Sequence, residues 1–197
     1  MANWKLKEIV VMSVLSVVFA VVYLAFLPVG KLLVGFFGPI GYDLIFGIWF
    51  IVSIIAAYII RKPGAAFLSE TIAATVEVLL GSAVGPMLII SGMIQGVGAE
   101  AAFAATRWKN YTTKVLVLAG MGSAVTSFIW NFYLSGYAAL STGYVTAMFG
   151  VRLVSGALLA GILGKMISDG LAKTGVLSGF ALGKEVRSQN NEAQQIS

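Results

Sequence analysis

The sequence contains no cysteine and no histidine in 197 residues, and only four prolines. The two zeros exclude disulfides, thiolate nucleophiles, imidazole bases and the usual zinc sites, and with them most schemes for hydrolysis inside a membrane. A serine–lysine dyad stays formally open, but the lysines fall at the edges of apolar runs, where they anchor helices. No G-x-x-x-x-G-K-[ST] nucleotide loop is present; the nearest string, Gly161 to Lys165, lacks both the spacing and the hydroxyl residue. The chain is therefore not expected to be an enzyme or to hydrolyse ATP through that motif. It is expected to have no catalytic residues, no metal and no cofactor.

Charge is scarce as well, at 11% of residues against about a quarter in soluble proteins. With 59% hydrophobic residues and a mean hydropathy of +0.94, the chain has more apolar surface than one soluble core of this length can hide. At roughly 20 residues per span, it accommodates about six helices across a hydrocarbon layer of about 30 Å. The expected fold is an all-α integral membrane protein with six transmembrane helices, near 7–27, 43–60, 66–82, 87–106, 113–134 and 145–168. Residues 1–183 form one transmembrane domain, and 184–197 a polar cytoplasmic tail without fixed structure. The first apolar run reads as a span: it is too long for a signal-peptide core, no A-x-A site follows it, and further spans come after.

Eleven of the thirteen basic residues cluster at one set of helix ends: Lys5, Lys7, Arg61, Lys62, Arg107, Lys109, Lys114, Lys165, Lys173, Lys184 and Arg187. By the positive-inside rule both termini are cytoplasmic, and loops 28–42, 83–86 and 135–144 face outward. The expected location is the bacterial cytoplasmic membrane. The net charge of +5 is then a topology signal and not a nucleic-acid footprint, because the basic residues are divided among separate ends. The first outward loop, "LPVGKLLVGFFGPIGYD", is rich in glycine yet apolar. Two compatible readings apply: a segment lying at the interface, or a mobile cover hinged at Gly30, Gly35, Gly38 and Gly41 around Phe36 and Phe37.

Small residues recur at four-residue spacing in Gly92/Gly96, Gly98/Ala102, Gly120/Ala124 and Gly156/Ala160/Gly164, which points to close helix packing. The Ser16/Ala20 pair on the first helix is assigned instead to a partner protein.

Charges inside spans are costly and face a bundle interior. The candidates are Asp43, Glu70, Glu77, Glu100 and Arg152, four acids against one base. An interior lined this way favours a cationic guest. Glu70 and Glu77 are seven residues apart, hence on one helix face. Depth assigns Glu70 and Glu100 mainly structural roles, paired with cytoplasmic-edge Arg or Lys, and makes Glu77 the first choice for ligand contact. The string "SFIWNFYLSGY" adds Trp130, Asn131, Tyr133 and Tyr137 near the outer face. An aromatic belt accounts for such Trp and Tyr residues, but a buried amide at Asn131 needs partners. With Glu77, Gln95 and Asp43, and with Trp49 and Tyr42 as walls, this set suits a flat, nitrogen-rich heterocycle held by stacking and cation–π contact.

At residues 61–108, with Pro63-Gly64-Ala65-Ala66, Glu70, Glu77, Gly81, Gln95-Gly96 and Gly98-Ala99-Glu100, the chain resembles the YkoE family. These proteins are substrate-binding S components of energy-coupling-factor (ECF) transporters, which belong to the ABC class. The resemblance extends over essentially the whole chain. It implies capture of thiamine, or of its hydroxymethylpyrimidine precursor, in concert with a membrane scaffold subunit and cytoplasmic ABC ATPases. One departure is the first helix, which carries Ser16 and Ala20 where other S components commonly carry paired alanines. The competing reading is an autonomous channel or proton-coupled carrier, in which Asp43, Glu77, Glu70 and Glu100 line a path across the bilayer.

Overall fold

The computed structural model describes residues 3–196, and all regular structure among them is helical. Helix α1 (Leu6–Phe37) is followed by a short α2 (Ile40–Ile45), a 3-10 segment (Phe46–Phe50) and α3 (Ile51–Ile60). Then come α4 (Ala65–Leu79), α5 (Met87–Ala105) and α6 (Thr113–Leu134). A 3-10 turn (Tyr137–Ala139) leads into α7 (Thr142–Ser155), which runs through a π-helical stretch (Gly156–Leu163) into α8 (Gly164–Lys173). Helix α9 (Ala181–Ile196) ends the described chain.

Five stretches are long and apolar enough to cross a membrane: Leu6–Phe37, Ile40–Ile60, Met87–Ala105, Thr113–Leu134 and Thr142–Lys173. Helix α4, with 15 residues, is only about 22 Å long. It packs between α1 and α5. Helix α3 is the axis of the bundle: every residue from Ile51 to Ile60 is buried, as its run IVSIIAAYII, apolar all round, requires.

Two expectations are corrected. The stretch 28–42 is not a loop. Helix α1 continues through Pro28 to Phe37, 32 residues or about 48 Å, and chain reversal is confined to Gly38 and Pro39. Where water is scarce, backbone groups must bond within the segment, so an apolar run continues as helix even across a proline. Gly38 ends it with a φ of 72° and donates its N–H to the Val34 carbonyl. Gly41 is no hinge either: a Cβ there would collide with the Leu33 backbone, so it is the contact that folds α2 back on α1. Phe36 and Phe37 are exposed. The tail, expected to lack fixed structure, is largely helical: α9 is amphipathic and anchored by an Arg61–Glu185 ion pair.

The small residues do the work expected of them, with one exception. Gly98 and Gly122 face each other so closely that a Cβ on either would strike the other's backbone, which seats α5 against α6. Ser16 and Ala20, expected to face a partner, are both fully buried. The Ser16 hydroxyl lies 2.9 Å from the carbonyl oxygens of Met12 and Ser69, so this stripe seats α1 on α4. The face of α1 left outside carries Val10, Val14, Val17, Val18 and Val21.

Candidate binding site

A cavity of about 290 Å³ lies at the end of the bundle remote from Arg61, Lys62 and Lys109. That is close to the lower end of the roughly 300–1,000 Å³ typical of small-molecule sites. Its acidic wall comes from α4, whose buried face repeats at Ala66, Ser69, Glu70, Ala73, Ala74 and Glu77, the i, i+3, i+4, i+7 pattern of one helix side. Glu70, Ala74 and Glu77 all line the cavity. Helix α5 contributes Leu88, Ser91, Gly92 and Gln95, and α6 contributes Asn131 and Leu134.

The aromatic wall depends on the break between α2 and α3. In a 3-10 helix residues i and i+3 eclipse, so Phe46 and Trp49 project to the same side. Tyr42 joins them: the Tyr42 and Trp49 rings are 5.7 Å apart and those of Phe46 and Trp49 5.8 Å, both tilted. The Trp49 indole donates to the Tyr23 carbonyl at 3.2 Å, which fixes the ring.

The cavity is lined by two carboxyl groups, Glu70 and Glu77, and by no basic side chain. Ion pairs among the described residues join Arg61 to Glu185, Lys62 to Glu8, Arg152 to Asp43 and Lys165 to Asp169; none involves Glu70 or Glu77. Glu70, 1% exposed, accepts a 3.4 Å hydrogen bond from the Tyr23 hydroxyl, which itself accepts from the Val52 N–H at 3.1 Å. The Glu77 carboxylate, in a residue 3% exposed, takes part in none of the hydrogen bonds found among the described residues. Two buried carboxylates without a cation are costly to hold in a protein interior. A positively charged ligand between them offsets that cost.

The other acids are accounted for. Glu100 accepts from the N–H groups of Gly64 at 2.7 Å, Ala66 at 3.0 Å and Phe67 at 3.3 Å, and from the Trp108 indole at 2.6 Å. It is structural, as expected, but its partner is the positive end of α4 and not a basic side chain. Asp43, expected to touch ligand, is instead buried against Arg152 with N···O of 2.6 Å. Asp43 and Glu100 are thus each engaged, so the four acids form no continuous line across the bundle.

Arg152 is an organising residue. Fully buried, it pairs with Asp43, donates to the Tyr137 hydroxyl at 3.3 Å, and places its guanidinium 3.7 Å from the Phe46 ring centroid and 5.0 Å from that of Phe128. Phe46 and Tyr137 both line the cavity, so Arg152 supports two of its walls from behind.

Of the residues expected at the site, Glu77, Gln95, Asn131, Trp49 and Tyr42 converge on the cavity. Trp130 stands behind it, its indole donating to the Ser91 hydroxyl at 2.9 Å. Tyr133, 80% exposed, points away, because it follows the lining residue Asn131 by two, about 200° around the helix. Phe46 was missed, since nothing in the sequence marks a 3-10 turn there. Glu70 was placed too close to the cytoplasmic edge; its seven-residue spacing from Glu77 was the signal that put it on the cavity side.

Known proteins share this architecture. Residues 7–126 match a family described as the permease component of an ABC-type cobalt transport system. A Bacillus subtilis (strain 168) protein carried under the name HMP/thiamine permease protein YkoE is 63% identical over 195 residues, which span 99% of this chain and 98% of the relative. A crystal structure of an S component of an ECF transporter superposes with a TM-score of 0.96 at 62% identity, covering 99% of both chains.

Proposed function

The chain belongs to the YkoE family of substrate-binding S components of ECF transporters, multi-pass cell-membrane proteins that are not enzymes, and from that premise we propose that its cavity captures thiamine. The observation that carries this reading is the pair Glu70 and Glu77, buried in an aromatic-walled cavity and in none of the ion pairs among the described residues. Thiamine brings a permanent positive charge on its thiazolium ring and a flat aminopyrimidine. The carboxylates hold the charge, the Gln95 and Asn131 amides read ring nitrogens and the amino group, and Trp49, Phe46 and Tyr42 supply the aromatic faces. The name of the Bacillus subtilis relative, which couples HMP with thiamine, supports this substrate class and keeps the hydroxymethylpyrimidine precursor as the alternative.

In the same proposal α4 is the sixth span, both termini are cytoplasmic, and the cavity opens outward, opposite the basic helix ends. Residues 1–183 are the membrane domain and 184–197 the cytoplasmic tail, of which residues 184–196 belong to α9. A membrane scaffold subunit and cytoplasmic ABC ATPases drive release inward, since this chain has no nucleotide loop.

Equilibrium titration of the purified protein in detergent is expected to show saturable thiamine binding below micromolar concentration. An absence of saturation there removes the substrate assignment. Tighter binding of hydroxymethylpyrimidine than of thiamine transfers the assignment to the precursor.

A further inference from the structure

Tyr23 lies on the inner side of α1, fully buried, and is not among the residues that line the acidic cavity. It is nevertheless joined to two of the cavity's walls by three hydrogen bonds. Its backbone carbonyl accepts from the Trp49 indole at 3.2 Å. Its hydroxyl accepts from the Val52 N–H at 3.1 Å and donates to Glu70 Oε2 at 3.4 Å. Trp49 and Glu70 both line the cavity, one in the aromatic wall and one in the acidic wall.

Helix periodicity brings the phenol there. Ser16, Ala20 and Tyr23 are buried along one side of α1, the i, i+4, i+7 row that faces a packed neighbour, and Ser16 holds that row against α4 through the Ser69 carbonyl. Val52 stands in the first turn of α3, where backbone N–H groups lack partners within the helix. The phenol oxygen therefore caps α3 and directs its own proton to the carboxylate. Accepting one hydrogen bond polarises the O–H and strengthens the one it donates. Among the described residues Tyr23 is the one side chain bonded to the Glu70 carboxylate. A carboxylate has acceptor capacity well beyond a single bond, so Glu70 is held and still open to a cation.

We propose that Tyr23 is a positioning residue for cation capture: its hydroxyl holds the Glu70 carboxylate in place on the cavity wall, while its carbonyl fixes Trp49 in the aromatic wall. The proposal rests on the thiamine reading of the cavity and adds to it a residue that acts without touching the ligand. Catalogued by burial alone, Tyr23 is a core aromatic; its bonds to Glu70 and Trp49 give it a second role.

The test is calorimetric titration of the full-length protein in detergent with thiamine, with thermal unfolding as the check on the fold. Tyr23→Phe keeps the ring and the carbonyl and is expected to weaken thiamine binding by about threefold to tenfold, the scale of one ordinary hydrogen bond. In a Glu70→Gln background, where no charge remains to be aimed, the same substitution is expected to change Kd by less than about twofold. Replacing Tyr23 by 4-aminophenylalanine keeps a donor toward Glu70 and removes a good acceptor for Val52, so it separates the two bonds. Thiamine affinity is then expected to return to within about twofold of the unmodified protein, with Tm lowered as in Tyr23→Phe. If Tyr23→Phe does not fold, the amino variant alone decides, by keeping or losing thiamine affinity. An unchanged Kd in Tyr23→Phe, an equal loss in both backgrounds, or a loss that the amino variant does not relieve reduces Tyr23 to a support of α3 and overturns the proposal. Absence of saturation in the unmodified protein is a distinct result: it removes the thiamine reading and this proposal with it.

Discussion

Arg152→Ala is expected to destabilise the bundle by about 3–5 kcal/mol, the typical cost of leaving one member of a buried ion pair without its partner. Among the described residues Asp43 has no other ion-pair partner: it is fully buried and its carboxylate is bonded to Arg152 alone. The same substitution removes the donor to Tyr137 and the cation over Phe46 and Phe128, so cavity walls loosen along with the helices. A combined Asp43→Leu/Arg152→Met variant is expected to recover much of the lost stability, because well-packed apolar residues can replace a buried pair at little net cost. Thiamine binding should not recover with it, since Tyr137 and Phe46 remain unsupported. Denaturant titration with both variants checks this. A loss below about 1 kcal/mol in the single variant would place the pair among surface-like contacts and contradict its central position.

Glu77→Gln is expected to act in the opposite sense on stability and binding. Removing a buried carboxylate that has no cation partner leaves the free protein at least as stable. Thiamine affinity falls, because a charge-assisted contact worth about 1.5–3 kcal/mol is lost, roughly tenfold to a hundredfold in Kd. Glu70→Gln is expected to weaken binding as well and also to alter the Tyr23 hydroxyl, which donates to that carboxylate. Hydroxymethylpyrimidine, which lacks the thiazolium, should lose far less than thiamine in either variant. Calorimetric titration separates the two ligands, and an unchanged thiamine Kd in Glu77→Gln removes that residue from the site.

How much of this was legible beforehand depended on the range of the interaction concerned. Helix α6 was expected over 113–134 and is found at Thr113–Leu134, because apolar content is a local property. The cavity side of α4 followed from helical periodicity, and Glu77, Gln95, Asn131, Trp49 and Tyr42 all reach it. What escaped was set by packing between distant segments. Asp43 and Arg152 are 109 residues apart, and nothing near either residue announces the other. Counting Asp43 among the ligand contacts was the consequence. Segment 28–42 failed for a different reason: glycine and proline signal loops in water, whereas an apolar segment away from water keeps its internal hydrogen bonds. The 3-10 break that turns Phe46 toward Trp49 has no local signature at all. Ser16 and Ala20 misled because small residues permit close approach without saying to what; here it is α4.

The central claim is that buried carboxylates at Glu70 and Glu77 select a cation. Its most direct test is paired calorimetric titration of the unmodified protein with thiamine and with an isosteric analogue whose thiazolium nitrogen is replaced by carbon, leaving the ring neutral. The account predicts that the neutral analogue binds at least about tenfold more weakly, and that a Glu70→Gln/Glu77→Gln variant abolishes the difference. Equal affinity of the two compounds for the unmodified protein would contradict it.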